Sequence, residues 1–200
     1  MRPLEKARIR AQRNKIRNRY PHDKDGKPGK RWEILARFAR EHGFKKFAEV
    51  GVKSGRMSRE LLALVPDATL ICVDPWIVCD DYPEWDVENH KNHERRFDDS
   101  VRPFGNRVVK MKMSSIEAAA KIPDASLDCV FIDADHSYPA VAADIKAWLP
   151  KVRCGGILAG HDYDNTAKYG NRFKGVDRAV NENFAGRFKV DTDHVWWVHV

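Results

Sequence analysis

Four short stretches carry residue types from which a reaction centre can be built. EVGVKSG, residues 49–55, sets Glu49 before Gly51 and Gly55. VDPW, residues 73–76, contains Asp74 followed by Trp76. FIDADHSY, residues 131–138, brings Asp133, Asp135 and His136 within four positions. GGILAGHDY, residues 155–163, ends on His161, Asp162 and Tyr163. Glycines let a backbone pass close to a ligand and take conformations other residues resist. A dinucleotide cradle wants G-x-G-x-x-G after the first strand. Here Lys53 stands where the second glycine belongs, and Glu49 would repel a pyrophosphate. That acid suits a cationic ligand instead. Asp74, 23 residues past Gly51, is spaced to accept both hydroxyls of a ribose. His136 can take a proton near neutral pH. Two carboxylates with a histidine either hold a cation or line a polar pocket without metal.

These stretches need elements to hold them. The helical stripe Ile34, Leu35, Phe38 and Ala39 makes 32–42 a helix, with Gly43 as its stop. Strands are expected at 46–50, 68–73, 107–113, 127–132 and 156–160. Helices are expected at 58–65, 89–101, 115–121, 140–149 and 176–184. Residues 188–190 and 195–200 suggest a terminal antiparallel pair, with Trp196 and Trp197 anchoring core and edge packing. Strands alternating with helices imply an open parallel sheet covered on both faces. Ligands in such sheets bind beyond the C-terminal strand ends, near the switch point. Each stretch above follows a strand, and that recurrence outweighs any one residue.

A ligand of adenosine type with a positive centre and no phosphate is S-adenosylmethionine. The turn Glu49–Gly55 with Asp74 resembles the first two motifs of class I S-adenosylmethionine-dependent methyltransferases. With residues 131–138 and 155–163 added, the sequence from Phe47 to Tyr163 resembles a bacterial family related to catechol-type and macrolide-sugar O-methyltransferases. The resemblance implies an α/β fold, a Rossmann-like three-layer sandwich whose mostly parallel seven-stranded sheet has an antiparallel last strand. It implies methyl transfer to a small hydroxylated molecule, a sugar or a phenol. Glu49, Gly51, Gly55, Asp74, Trp76 and Ser115 are then the expected cofactor-binding residues. Ser114 and Ser115 stand where a relative contacts adenine, and Ser115 equally suits the N-cap of the next helix, with Ala118 at N3. Asp133, His161 and Asp162 stand where metal-dependent relatives bind a divalent cation, magnesium or manganese. His161 departs from the acidic or amide group common there and shifts the preference toward softer ions. Asp133 and His136 are the expected catalytic pair, His136 being placed as a catechol-type enzyme places its basic residue. Asp135 either orients His136 or caps the following helix; alternatively both only shape the loop before Pro139.

The rest of the sequence bounds this reading. The 200 residues suffice for one globular domain with a real core. Residues 1–31 hold 12 Lys or Arg and three acids, and residues 32–200 hold 24 and 26. The formal charge of +7 therefore belongs to a basic N-terminal arm and linker, with the methyltransferase domain over 32–200. Such an arm is either a solvated tail or subunit contact, or an anchor for nucleic acid. The second possibility keeps open a nucleic-acid methyltransferase; a non-catalytic S-adenosylmethionine-binding protein is the third reading. No run approaches the roughly 18 apolar residues of a membrane span, and MRPLEKARIR has no signal-like apolar region. Cys72, Cys79, Cys129 and Cys154 form no C-x-x-C pair, which fits a reduced, cytoplasmic setting. Residues 75–99 are long for a connection and carry Trp76, Tyr82, Trp85 and eight acids, the composition of a lid or binding loop. His90, His93 and Glu94 read as an exposed helix face. A homodimer is the expected assembly, through the arm and the last strand.

Overall fold

In the computed structural model, residues 29–77, 92–165 and 173–200 are described. Residues 1–28 of the arm, Tyr82, Trp85, His90 and Cys79 lie outside them. The elements run α1 (Arg31–His42), β1 (Lys46–Val50), α2 (Arg56–Leu64), β2 (Thr69–Val73) and α3 (His93–Val101). Then come β3 (Val108–Met111), α4 (Ser115–Lys121), β4 (Leu127–Ile132), α5 (Tyr138–Trp148) and β5 (Val152–Gly160). The chain closes with α6 (Lys174–Phe184), β6 (Lys189–Val190) and β7 (Trp196–His199). No described helix is long and apolar enough to cross a membrane.

Seven strands form one sheet in the order β3-β2-β1-β4-β5-β7-β6. Strands β1 to β5 pair in parallel, and β7 runs antiparallel to β5 and to β6. The expected mostly parallel sheet with its antiparallel terminal pair is therefore present. Alternation along the strands decides which helices cover which face. Phe47, Cys129, Phe131, Ile157 and Trp197 join Leu35, Phe38, Leu61 and Phe97 in one buried layer under α1, α2 and α3. Ala48, Val130, Ile132, Leu158 and Trp196 join Val141, Ile145, Trp148, Val180 and Phe184 in the other, under α5 and α6. Both terminal tryptophans are buried, as expected.

Several element boundaries differ from the sequence reading. β5 begins at Val152, ahead of Gly155 and Gly156, because the strand absorbs a register shift between Leu127 and Cys129 of β4. The Cβ of any residue at 156 would lie 2.6 Å from the Asp128 carbonyl oxygen, so the shift needs glycine there. Ser114, not Ser115, caps α4: its amide donates to Glu117 Oε2 at 3.0 Å and its Oγ accepts from the Glu117 amide at 3.4 Å. The N3 residue is thus Glu117, which completes a reciprocal box that Ala118 cannot form. His93 is buried rather than exposed, whereas Glu94 faces solvent and pairs with Lys110 and Lys112. Cys72 and Cys129 are buried free thiols, and Cys154 is exposed.

Candidate active site

The strand order reverses between β1 and β4, so their C-terminal ends lie side by side at the switch point of the sheet. The Asp133 amide donates to the Val50 carbonyl at 2.8 Å, and the Gly51 amide to the Val73 carbonyl at 2.9 Å. The glycine turn, Asp74 and Asp133 are thereby stitched into one rim. Gly51 has φ +87°, and a Cβ on it would sit 2.2 Å from the Asp133 carbonyl oxygen. Gly55 has φ +73° and starts α2 against the Phe97 ring.

Asp74 organises this turn. Its Oδ2 accepts the Lys53 amide at 2.8 Å and its Oδ1 the Trp76 amide at 2.7 Å. Trp76 has φ 47°, and its indole nitrogen donates back to the Lys53 carbonyl at 2.7 Å. Its ring centroid lies 5.0 Å from that of Phe97. Glu49 points inward beneath the turn, almost wholly buried, and accepts from Ser58 Oγ at 2.5 Å. Burial pushes its carboxyl up to about 8 against the opposing effect of Ser58. Ser115 faces inward too: its Oγ donates to Asp144 and accepts from Trp148 Nε1 at 2.8 Å. Ser115 thus ties α4 to α5, and Asp144 carries a carboxyl raised to about 6 by burial.

The acids and histidines converge at the ends of β4 and β5. The His161 amide donates to the Ile132 carbonyl at 3.0 Å, which sets residues 161 and 162 beside 133. Asp135 accepts the Ser137 amide at 2.6 Å and so forms the turn ahead of α5, the loop-shaping role among its alternatives. That turn throws His136 back over the strand ends. Gly175 packs so closely on the His136 carbonyl oxygen that a Cβ would approach to 2.3 Å, and the Phe173 ring meets the imidazole edge-on at 4.6 Å. His136 Nε2 lies 2.8 Å from Asp162 Oδ2 and 3.7 Å from Asp133 Oδ1. His161 Nδ1 lies 2.9 Å from Asp162 Oδ1 and 3.8 Å from Asp133 Oδ1. Asp162, at φ 63°, also accepts from Asn165 Nδ2 at 2.5 Å.

Charge is concentrated here. Burial alone would lower the His136 imidazole, but the carboxylates of Asp133 and Asp162 outweigh it and push it up to about 9. Burial works against ionised Asp162 as well, yet His136, His161 and Asn165 hold it well below the usual carboxylate range. His136 Nε2 and both ring nitrogens of His161 are buried without an aligned hydrogen bond, despite these short distances. Orphaned buried nitrogens beside carboxylates are the arrangement a cation would complete. Asp133, His136 and Asp162 each offer one donor atom, all within 4.8 Å of one another. The expected trio of Asp133, His161 and Asp162 lies together, and His136 approaches the same two carboxylates.

Two residues of this site went unread in the sequence. Arg31, opening α1, donates from Nη1 to Asp133 Oδ2. Its amide and Nε donate to Asp193 Oδ2 at 3.1 and 3.3 Å. Asp193 also pairs with Lys30 at 3.1 Å and lies 4.0 Å from His161 Nε2. Burial would raise the Asp193 carboxyl, but Arg31 and Lys30 hold it below its ordinary value. The acid-rich turn Asp191–Asp193 was the one signal available.

Residues 48–163 match a family model described as a methyltransferase domain. A search of curated protein sequences found no match. Among solved structures, the chain is similar to the S-adenosylhomocysteine-bound methyltransferase PaMTH1 of Podospora anserina (TM-score 0.62, 15% identity, 96% of this chain and 86% of that one). It is also similar to the O-methyltransferase TomG of Streptomyces achromogenes in complex with S-adenosylmethionine (0.58, 18%, 84% and 79%). A third is CalS11, a TDP-rhamnose 3'-O-methyltransferase of calicheamicin biosynthesis (0.55, 19%, 84% and 76%).

Proposed function

The chain belongs to the methyltransferase family whose domain model it matches, and from that premise we propose that it methylates a hydroxyl oxygen of a small acceptor. It is a class I S-adenosylmethionine-dependent methyltransferase. The observation that carries the finer reading is the convergence of Asp133 Oδ1, His136 Nε2 and Asp162 Oδ2 beside the glycine turn, with buried nitrogens left orphaned. The similar O-methyltransferases, one acting on a nucleotide-linked sugar, support an oxygen acceptor.

In this reading the turn Gly51–Gly55 gives the donor's methionine end room against the backbone, and Asp74 faces its ribose. Asp74 already accepts two amides, which fixes its plane while leaving lone pairs for hydroxyls. Glu49 beneath the turn, protonated in the free protein, gains negative charge as a cationic ligand settles above it. Asp133, His136 and Asp162 would hold a divalent cation, with manganese, iron or zinc suiting two carboxylates and an imidazole. Such an ion, when bound, polarises the acceptor oxygen and lowers the pKa of its proton. In this reading His136, which the sequence offers as a base, serves as a donor atom and gives up its proton as the ion binds. The acceptor oxygen attacks the methyl in line as its bond to the sulfonium sulfur breaks, leaving S-adenosylhomocysteine, and the hydroxyl proton passes to solvent; the protein contributes mainly by positioning.

Calorimetric titration with S-adenosylmethionine, S-adenosylhomocysteine and NAD, each with EDTA or with manganese, tests this reading. Binding of the first two and not NAD, with extra heat from manganese that Asp133→Ala removes, is the expected result. Sulfur-nucleotide binding without any manganese effect would leave a metal-free enzyme and sink the cation.

A further inference from the structure

Asp133 is shared. One oxygen, Oδ1, faces the imidazoles of His136 and His161 at 3.7 and 3.8 Å, while Oδ2 receives Arg31 Nη1. We propose that Arg31 is a built-in counter-charge that weakens the hold of Asp133, His136 and Asp162 on a divalent cation, and so sets the affinity of that site. The proposal rests on the cation reading above.

Arg31 is anchored where it stands. Its backbone amide and Nε both donate to Asp193 Oδ2, and Lys30 pairs with the other oxygen of Asp193. A guanidinium keeps its charge at any relevant pH. Its side chain is about three-quarters buried, so water screens that charge only partly. A cation taken up on Oδ1 therefore meets a fixed positive charge across a single carboxylate.

Arg31 also orients that carboxylate, which would favour cation binding. The two effects oppose each other, and their scale decides the sign. Orientation restricts the two torsions of one short side chain. Repulsion acts between a unit and a double charge at short range in a partly dry site, and it is the larger effect. Arg31 and Asp193 both lie outside the matched span 48–163, so this device is added to the domain from its two flanks.

Manganese binding to the cofactor-free protein, read as free ion by paramagnetic resonance, tests the proposal without any acceptor. Arg31→Gln is expected to bind manganese about tenfold tighter than the native chain, about 1.4 kcal/mol. Arg31→Lys, which keeps the charge but not the fork, should stay within about twofold of native. Arg31→Met serves the same comparison should Arg31→Gln fail to fold. Equal or weaker binding by the neutral variants would overturn the counter-charge while leaving the cation site intact. No manganese binding by any of these proteins would overturn the cation reading and the counter-charge with it.

Discussion

Gly51 faces the carbonyl of Asp133 so closely that a β-carbon would stand 2.2 Å from its oxygen. The glycine of the first turn and the acid after β4 thus occupy one contact, at the point where β1 and β4 part. Gly51 also sits at φ +87°, where an L side chain is strained whatever the space. Gly51→Ala is expected to cost about 2–4 kcal/mol of stability and to displace Asp133. Chemical denaturation and cofactor titration check both effects. A variant of native stability that still binds the cofactor would contradict the close approach.

Asp74 holds the turn through two amides and presents the same carboxylate to the proposed ribose. Asp74→Ala should weaken S-adenosylmethionine and S-adenosylhomocysteine alike by about 100-fold, the scale of one lost bidentate acceptor. Asp74→Asn, which keeps one oxygen, should lose less. Losses confined to S-adenosylmethionine would argue that Asp74 senses the sulfonium instead.

Glu49 is buried and raised to about 8, so in the free protein it holds its proton at pH 7. A cationic ligand above it favours the ionised form. Binding of S-adenosylmethionine at pH 7 is therefore expected to release part of a proton, and affinity should rise as pH approaches 8. Calorimetry in buffers of different ionisation enthalpy measures the release directly. Glu49→Gln should abolish it.

Asp144 gives a stability prediction away from the site. Burial raises its folded-state carboxyl to about 6, above the ordinary value of 3.8. The folded protein thus binds this proton more tightly than the unfolded chain. The corresponding stability is fully present below about pH 4 and is lost as pH rises through about 6, a change of about 1–3 kcal/mol. Asp144→Asn keeps an acceptor for Ser115 and should remove the dependence, gaining stability at pH 7. Urea midpoints measured at pH 4, 5, 6 and 7 test this, and parallel curves for both proteins would contradict it.

How much was legible in the sequence follows from the range of each interaction. β1 and β4 are bounded as expected, because Phe47, Ala48 and Val50 in one and Cys129 to Ile132 in the other are buried in the sheet. The terminal pair β6–β7 was equally plain. The start of β5 was not, since a bulge at Gly155 and Gly156 looks like a turn when read alone. The meeting of the glycine turn with Asp74 was legible because both sit within a few residues of a strand end. Ser115 was misread as the cap of α4: its partners Asp144 and Trp148 lie 29 and 33 positions away, so its inward direction had no local signature. Arg31 and Asp193 were missed for the same reason at greater range, 102 and 162 positions. The placement of His136 beside Asp133 and Asp162 turned on the Asp135 turn, whose direction spacing does not encode.

The groups proposed to hold the ion can be located directly by crystallography. Crystals grown with S-adenosylhomocysteine and manganese, measured at the manganese absorption edge, would place it. The expected result is one anomalous peak within bonding distance of Asp133 Oδ1, His136 Nε2 and Asp162 Oδ2, with the nucleoside ribose on Asp74. A peak bound by His161 with His136 turned away, or a site holding the nucleoside and no peak at all, would contradict it.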